Sequence, residues 1–154
     1  MAGRKLSDQP VHLGLGATAE VEPVFTGSPE WYADYSRRHS RDGAEGRLVT
    51  LHKFCESWSV WEMHPHGTEL VICIAGQITL HQRHTDGAEA VIALGPGEYA
   101  INAPGVWHTA DVAEEATVLF ITAGAGTEHR PRGDGALLQG WISARVILGA
   151  VTIK

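Results

Sequence analysis

Apolar residues along this chain recur in short alternating or near-continuous runs, and Gly or Pro closes most of them. The pattern predicts strands over residues 21–25, 47–54, 57–64, 70–74, 78–83, 88–94, 98–101 and 116–122, because alternation puts apolar side chains on one face of an extended chain. The separators are His66-Gly67, Ala75-Gly76, Asp86-Gly87, Gly95-Pro96-Gly97 and Pro104-Gly105, which supply the backbone angles that turns need. Short strands at this spacing predict an all-β sandwich or barrel. Residues 28–39 read differently. Trp31, Tyr32 and Tyr35 form an apolar side, Ser28 can cap, and Glu30 suits the positive end of a helix dipole, so a short N-terminal helix is expected to dock on the sheets.

The ends are less patterned. Before residue 21 the sequence predicts an arm or a loose first strand, and the Gly-rich stretch 123–133 reads as a loop leaving the barrel. Residues 137–153 are apolar again and are expected to add a strand, cover a barrel edge or meet a second subunit, since a long bare apolar edge invites aggregation. The expected layout is one domain, which suits 154 residues. Residues 1–46 are its N-terminal arm, strand and helix, 47–122 the barrel core, and 123–154 a C-terminal loop and apolar tail.

Composition narrows the function. Charged residues are 19% and hydrophobic ones 44%, as in ordinary globular proteins. A formal charge of −6, only three lysines and no basic stripe argue against nucleic acid, whose binding rests on neutralising phosphates. No apolar run reaches the roughly 18–20 residues of a membrane span; the nearest, 141–153, is shorter and contains Arg145. Cys55 and Cys73 sit in apolar runs without a secretory signal ahead of them, so a cytoplasmic location with reduced thiols is expected. Nine histidines in a small acidic chain make their placement the main question.

The segment Trp61-Glu62-Met63-His64-Pro65-His66-Gly67-Thr68-Glu69 carries the chemistry. Alternate side chains of a strand share a face, so Glu62 and His64 point together. His66 joins them only if the strand persists past Pro65, and Glu69 opens the next strand. His108 follows the turn at Pro104-Gly105. Imidazoles and carboxylates from three segments converging in a barrel suit a first-row divalent cation. Plainer readings stand beside this one: Glu62 pairing with an arginine, His66 as a solvated turn residue, His52 and His81 on the strand surface. Trp61, Trp107, Tyr99 and Cys73 read as wall or filler, and His12, His39, His84 and His129 have no motif behind them.

These residues resemble the two motifs of the cupin superfamily. Four residues separate His64 from Glu69 and six separate Glu69 from Gly76; five residues after Gly97 comes Ala103-Pro104-Gly105-Val106-Trp107-His108. Glu62 stands at the family's first His, Glu56 at its opening Gly, Ala103 at a usual Pro and Val112 at a usual Asn. The resemblance covers residues 47–122, about half of the chain. It implies a cupin jelly-roll β-barrel and a metal held by His64, Glu69, His108 and either Glu62 or His66, the latter if His64-x-His66 is read literally with two residues before Glu69. A carboxylate in fourth place makes a neutral shell around a divalent ion such as Zn, Fe, Mn or Ni, and a third imidazole leaves one net positive charge. If not a ligand, His66 becomes the acid–base candidate at the pocket mouth.

The resemblance also implies a metal-dependent enzyme acting on a small organic molecule, an isomerase, a dioxygenase or a relative of these. The alternative is a non-catalytic small-ligand binding or sensing module. The chain looks like small bacterial cupins labelled mannose-6-phosphate-isomerase-like, though only Arg83, Arg130 and Arg132 lie near enough to meet a phosphate. Family habit and the apolar tail predict a homodimer.

Overall fold

The computed structural model describes residues 2–133; the apolar tail lies outside the described residues. Strands fall into two antiparallel sheets. The first runs β2 (Thr18–Val21), β1 (Val11–Gly14), β3 (Arg47–Phe54), β10 (Ala116–Thr122), β5 (Glu69–Gly76) and β8 (Tyr99–Asn102). The second runs β11 (Glu128–Pro131), β4 (Val60–Met63), β9 (Trp107–Asp111), β6 (Ile78–Arg83) and β7 (Glu89–Leu94). Alternation decides what lies between them. Val71 and Cys73 of β5, Ala116, Val118 and Phe120 of β10, and Ile78 and Leu80 of β6 are all buried in one core with Phe54 and Trp58. Truncating Phe120, which has no exposed surface, to Ala would cost about 3–5 kcal/mol.

The same strands turn polar toward one end without changing face. Register aligns Thr122 with Glu69, Glu69 with Asn102, Glu62 with His108 and His108 with Gln82, and all six are buried. A polar belt thus closes one end of an apolar barrel. At the other end Gly76 adopts φ +73, and a Cβ there would lie 2.1 Å from the Glu115 carbonyl oxygen. Only glycine fits this approach, which gives the Gly of the first motif a physical reason.

The helix α1 spans Pro29–Arg38. Ser28 Oγ accepts from the Trp31 amide at 3.2 Å, Glu30 lies in the first turn, and Arg37 and Arg38 lie in the last. It buries Trp31 and Tyr32 on Leu48 of β3, so the helix lies across the first sheet. No described helix is long and apolar enough to cross a membrane.

Three stretches depart from the pattern-based expectation. Residues 21–25 are not a strand beyond Val21; Pro23 breaks the run, and the strands there are the β1–β2 hairpin. Strand β9 was hidden because its inward residues, His108 and Ala110, are polar or small. Residues 128–131, expected within a loop leaving the barrel, pair with β4.

Candidate metal centre

Glu62 on β4, His64 just beyond its end, Glu69 at the start of β5 and His108 on β9 bring one ligand atom each within 4.8 Å of one another. His64 Nε2 lies 3.1 Å from Glu62 Oε1 and 3.4 Å from Glu69 Oε1; His108 Nε2 lies 3.1 Å from Glu69 Oε2 and 3.8 Å from Glu62 Oε1. No member is more than 1% exposed.

The outward atoms are anchored. His64 Nδ1 lies 2.7 Å from Thr127 Oγ1, whose own proton goes to the Gly124 carbonyl at 2.8 Å. His108 Nδ1 donates to the Val106 carbonyl at 3.2 Å. Both rings therefore carry hydrogen on Nδ1 and, when neutral, turn the Nε2 lone pair inward, as a metal ligand must. His129 Nε2 bonds Glu62 Oε2 at 2.7 Å. Thr122 and Asn102 donate to the two oxygens of Glu69, and Gln82 donates to Asn102 Oδ1. The inward Glu62 Oε1, His64 Nε2 and His108 Nε2 have no hydrogen-bond partner, although they are close, because their contacts lie off the hydrogen-bonding axes.

Charge completes the picture. Burial pushes the His64 imidazole down, but Glu69 and Glu62 outweigh it and raise it to about 10; His108 rises to about 9 against the same penalty. Burial raises Glu62, yet contacts from His108, His129 and His64 bring it down to about 2, and Glu69 lies well below the usual range for the same kind of reason. Two buried carboxylates thus demand about two positive charges, which two protons or one divalent cation supplies. Two imidazole nitrogens, two carboxylates and three buried unpartnered atoms fit such an ion. Glu62, His64, Glu69 and His108 are the residues that would hold it.

His66 does not join them. It is exposed in the β4–β5 turn, and a Cβ on Gly126 would lie 3.2 Å from its ring. Of the two candidates for the fourth position, Glu62 lies in the cluster and His66 lies outside it. Glu62 pairs with His129 rather than an arginine. His81 is outside, bonded to Asp111. His52 lies on the inner face among Phe25, Phe54 and Phe120, its Nε2 without a partner, and burial lowers it to about 4. Arg83 stacks over Trp61 and Arg130 over Trp107, so each indole carries a guanidinium group. Sequence reading missed His129, Thr127, Thr122, Asn102 and Gln82. The polar run around His129 has no apolar alternation, and only its register with Glu62 reveals it.

No family model and no curated protein matches this sequence. Solved structures are similar over about half of it. One is a double-stranded β-helix domain protein from Klebsiella pneumoniae, 25% identical with a TM-score of 0.46, over 56% of this chain and 76% of that one. Another is a cupin-2 domain protein from Shewanella frigidimarina, 24% identical with a TM-score of 0.43, over 49% and 69%. A third is hydroquinone 1,2-dioxygenase from Sphingomonas sp. TTNP3, 15% identical with a TM-score of 0.42, over 49% and 59%. The strand order of the two sheets is itself that of a jelly roll. The two antiparallel sheets enclose the buried Glu/His cluster at the polar end.

Proposed function

We propose that this chain binds one divalent transition-metal ion through Glu62, His64, Glu69 and His108, and acts as a metal-dependent enzyme on a small, neutral or weakly acidic organic molecule. The reading is carried by the inward Glu62 Oε1, His64 Nε2 and His108 Nε2, buried and unpartnered while their opposite atoms are bonded. An ion in this set supplies Lewis acidity to a ligand oxygen or acidifies a bound water. The chain's own part is positioning. Thr127 and the Val106 carbonyl fix the two rings, His129 fixes Glu62, and the Gln82–Asn102–Thr122 network fixes Glu69. His66, exposed beside Gly126, is the acid–base candidate at the rim.

Metal analysis of the purified chain before and after chelation tests the reading. About one transition-metal ion per chain, lost to chelator and regained, is expected; no bound metal and no rebinding overturns it. Binding without turnover is the competing reading, favoured by His66 standing outside the cluster. A His66→Gln protein that keeps ligand affinity and loses turnover selects the enzyme, and an absence of turnover by the wild type across substrates selects the binding module.

A homodimer is part of the same proposal, supported by exposed Ile74, Tyr99 and Ile101 on the outer face of the first sheet; a light-scattering mass of one chain would refute it. Free thiols at Cys55 and Cys73 suit a reducing cytoplasm. A phosphorylated sugar is a poor match for the site, because the Glu62, His64, Glu69 and His108 cluster brings no Lys or Arg.

A further inference from the structure

Between α1 and the first sheet lies a cavity of about 280 Å³, lined by Tyr32, Tyr35, His12, Leu48, Thr50 and Thr122 among others. Thr122 donates to Glu69 Oε1 at 2.7 Å, so the cavity wall is one side chain from the candidate metal centre. None of its described lining residues is Lys or Arg. Aromatic rings and glycine backbone form much of it, walls suited to a flat, uncharged molecule.

A hydrogen-bonded chain reaches this cavity. Asp42 Oδ2 lies 2.7 Å from His12 Nε2, and His12 Nδ1 lies 2.7 Å from the Tyr35 hydroxyl. His12 is 1% exposed. The backbone is cut to admit this pair. A Cβ on Gly14 would lie 2.6 Å from Asp42 Oδ2, and one on Gly46 would lie 2.7 Å from His12 Cε1. Neither glycine has the positive φ that would otherwise explain it. The group is not a second metal site in this arrangement, although His12, His39 and Asp42 bring ligand atoms within 4.8 Å. Both nitrogens of His12 are bonded, His39 Nε2 is bonded to Glu22, and the two rings stack at 3.6 Å.

The chain has a direction. The His12 bond lowers Asp42, and an ionised carboxylate only accepts. His12 Nε2 therefore carries the hydrogen, a neutral ring accepts at Nδ1, and the Tyr35 O–H must donate to it. Burial, with Glu22 and Asp42 nearby, pushes the Tyr35 hydroxyl well above the usual phenol range, so it stays a neutral phenol. Its oxygen retains acceptor capacity, and His12 is its one partner among the described residues.

We infer that the cavity under α1 is a binding site for a small planar hydroxylated molecule, whose O–H is recognised by a Tyr35 oxygen held as an acceptor by the Asp42–His12 pair. That this molecule is the substrate rests on the metal-centre reading; that it binds here does not.

The probes are phenol, which donates, and anisole, which only accepts, titrated against the full chain. Phenol should bind about tenfold more tightly than anisole. Tyr35→Phe should bring the ratio to about one. Asp42→Asn should do the same by another route: an amide N–H facing Nε2 moves the ring hydrogen to Nδ1, and Tyr35 then donates toward the cavity. A merely structural Asp42 would leave the ratio alone. Ala125→Phe, at an exposed lining position, should weaken both probes. No saturable phenol binding, a wild-type ratio near one, or a ratio unmoved in Asp42→Asn overturns the inference, as does full affinity in Ala125→Phe. Each titration is repeated after chelation. A tenfold ratio in a chain that binds no metal would sink the metal-centre reading and leave this one standing.

Discussion

The Glu62–His64–Glu69–His108 cluster and the His12–His39–Asp42 cluster both join histidines to carboxylates, and each gathers its ligand atoms within 4.8 Å. They differ in what those atoms already hold. Beneath the helix both nitrogens of His12 and Nε2 of His39 are bonded, to Asp42, Tyr35 and Glu22. Between the sheets the outward atoms are bonded and the inward ones are not. Proximity of His and carboxylate therefore does not by itself mark a cation site. Buried inward atoms left without a partner are the stronger sign, because leaving them so costs about 1–3 kcal/mol each unless something binds there.

The largest expected effect follows from removing a ligand. His108→Ala should weaken metal binding by at least about 100-fold, beyond the range known for supporting residues, while His12→Ala should leave stoichiometry unchanged. Metal lost from both proteins would erase the contrast. Next, Thr127→Val and Asn102→Ala touch only the supports and should cost about 10–100-fold in metal affinity, measured by competition with a chromophoric chelator. The paired cluster should matter to stability instead. His12→Ala should cost about 2 kcal/mol in urea unfolding, by stranding Asp42 and Tyr35, and by the same amount with or without chelator.

His52 sharpens the contrast from a third side, being an imidazole whose buried Nε2 has no hydrogen-bond partner. Its folded value of about 4 lies below the unfolded 6.5, so the unfolded chain binds the proton first. Stability should fall as pH drops from 6.5 toward 4, by on the order of 1–2 kcal/mol. His52→Leu should flatten that part of the curve in pH-dependent denaturation.

Much of this was legible in the sequence, for stated reasons. Strands β3, β6 and β10 match the pattern because apolar side chains fill their inner face, and α1 matches because Ser28 and Glu30 announce it. Glu62, His64, Glu69 and His108 were found because two motifs fix them in register. Strands β1, β2, β9 and β11 were not, since their inward positions are few, polar or small. His129 and the Asp42–His12–Tyr35 chain were illegible because their partners lie 67, 30 and 23 residues apart in sequence on elements whose pairing no local pattern encodes.

The docking of β11 on β4 also has a consequence in time. Glu62 waits 67 residues for His129, and His64 waits 63 for Thr127. At about 5–20 residues per second a ribosome needs several seconds to make that stretch. Through that interval the nascent barrel holds its ligands without their last supports. On the proposed metal reading, capture with full affinity is therefore expected late in the life of the chain, after β11 has paired with β4. A radioactive or fluorescent metal taken up during synthesis would report on completion of the fold rather than on its beginning.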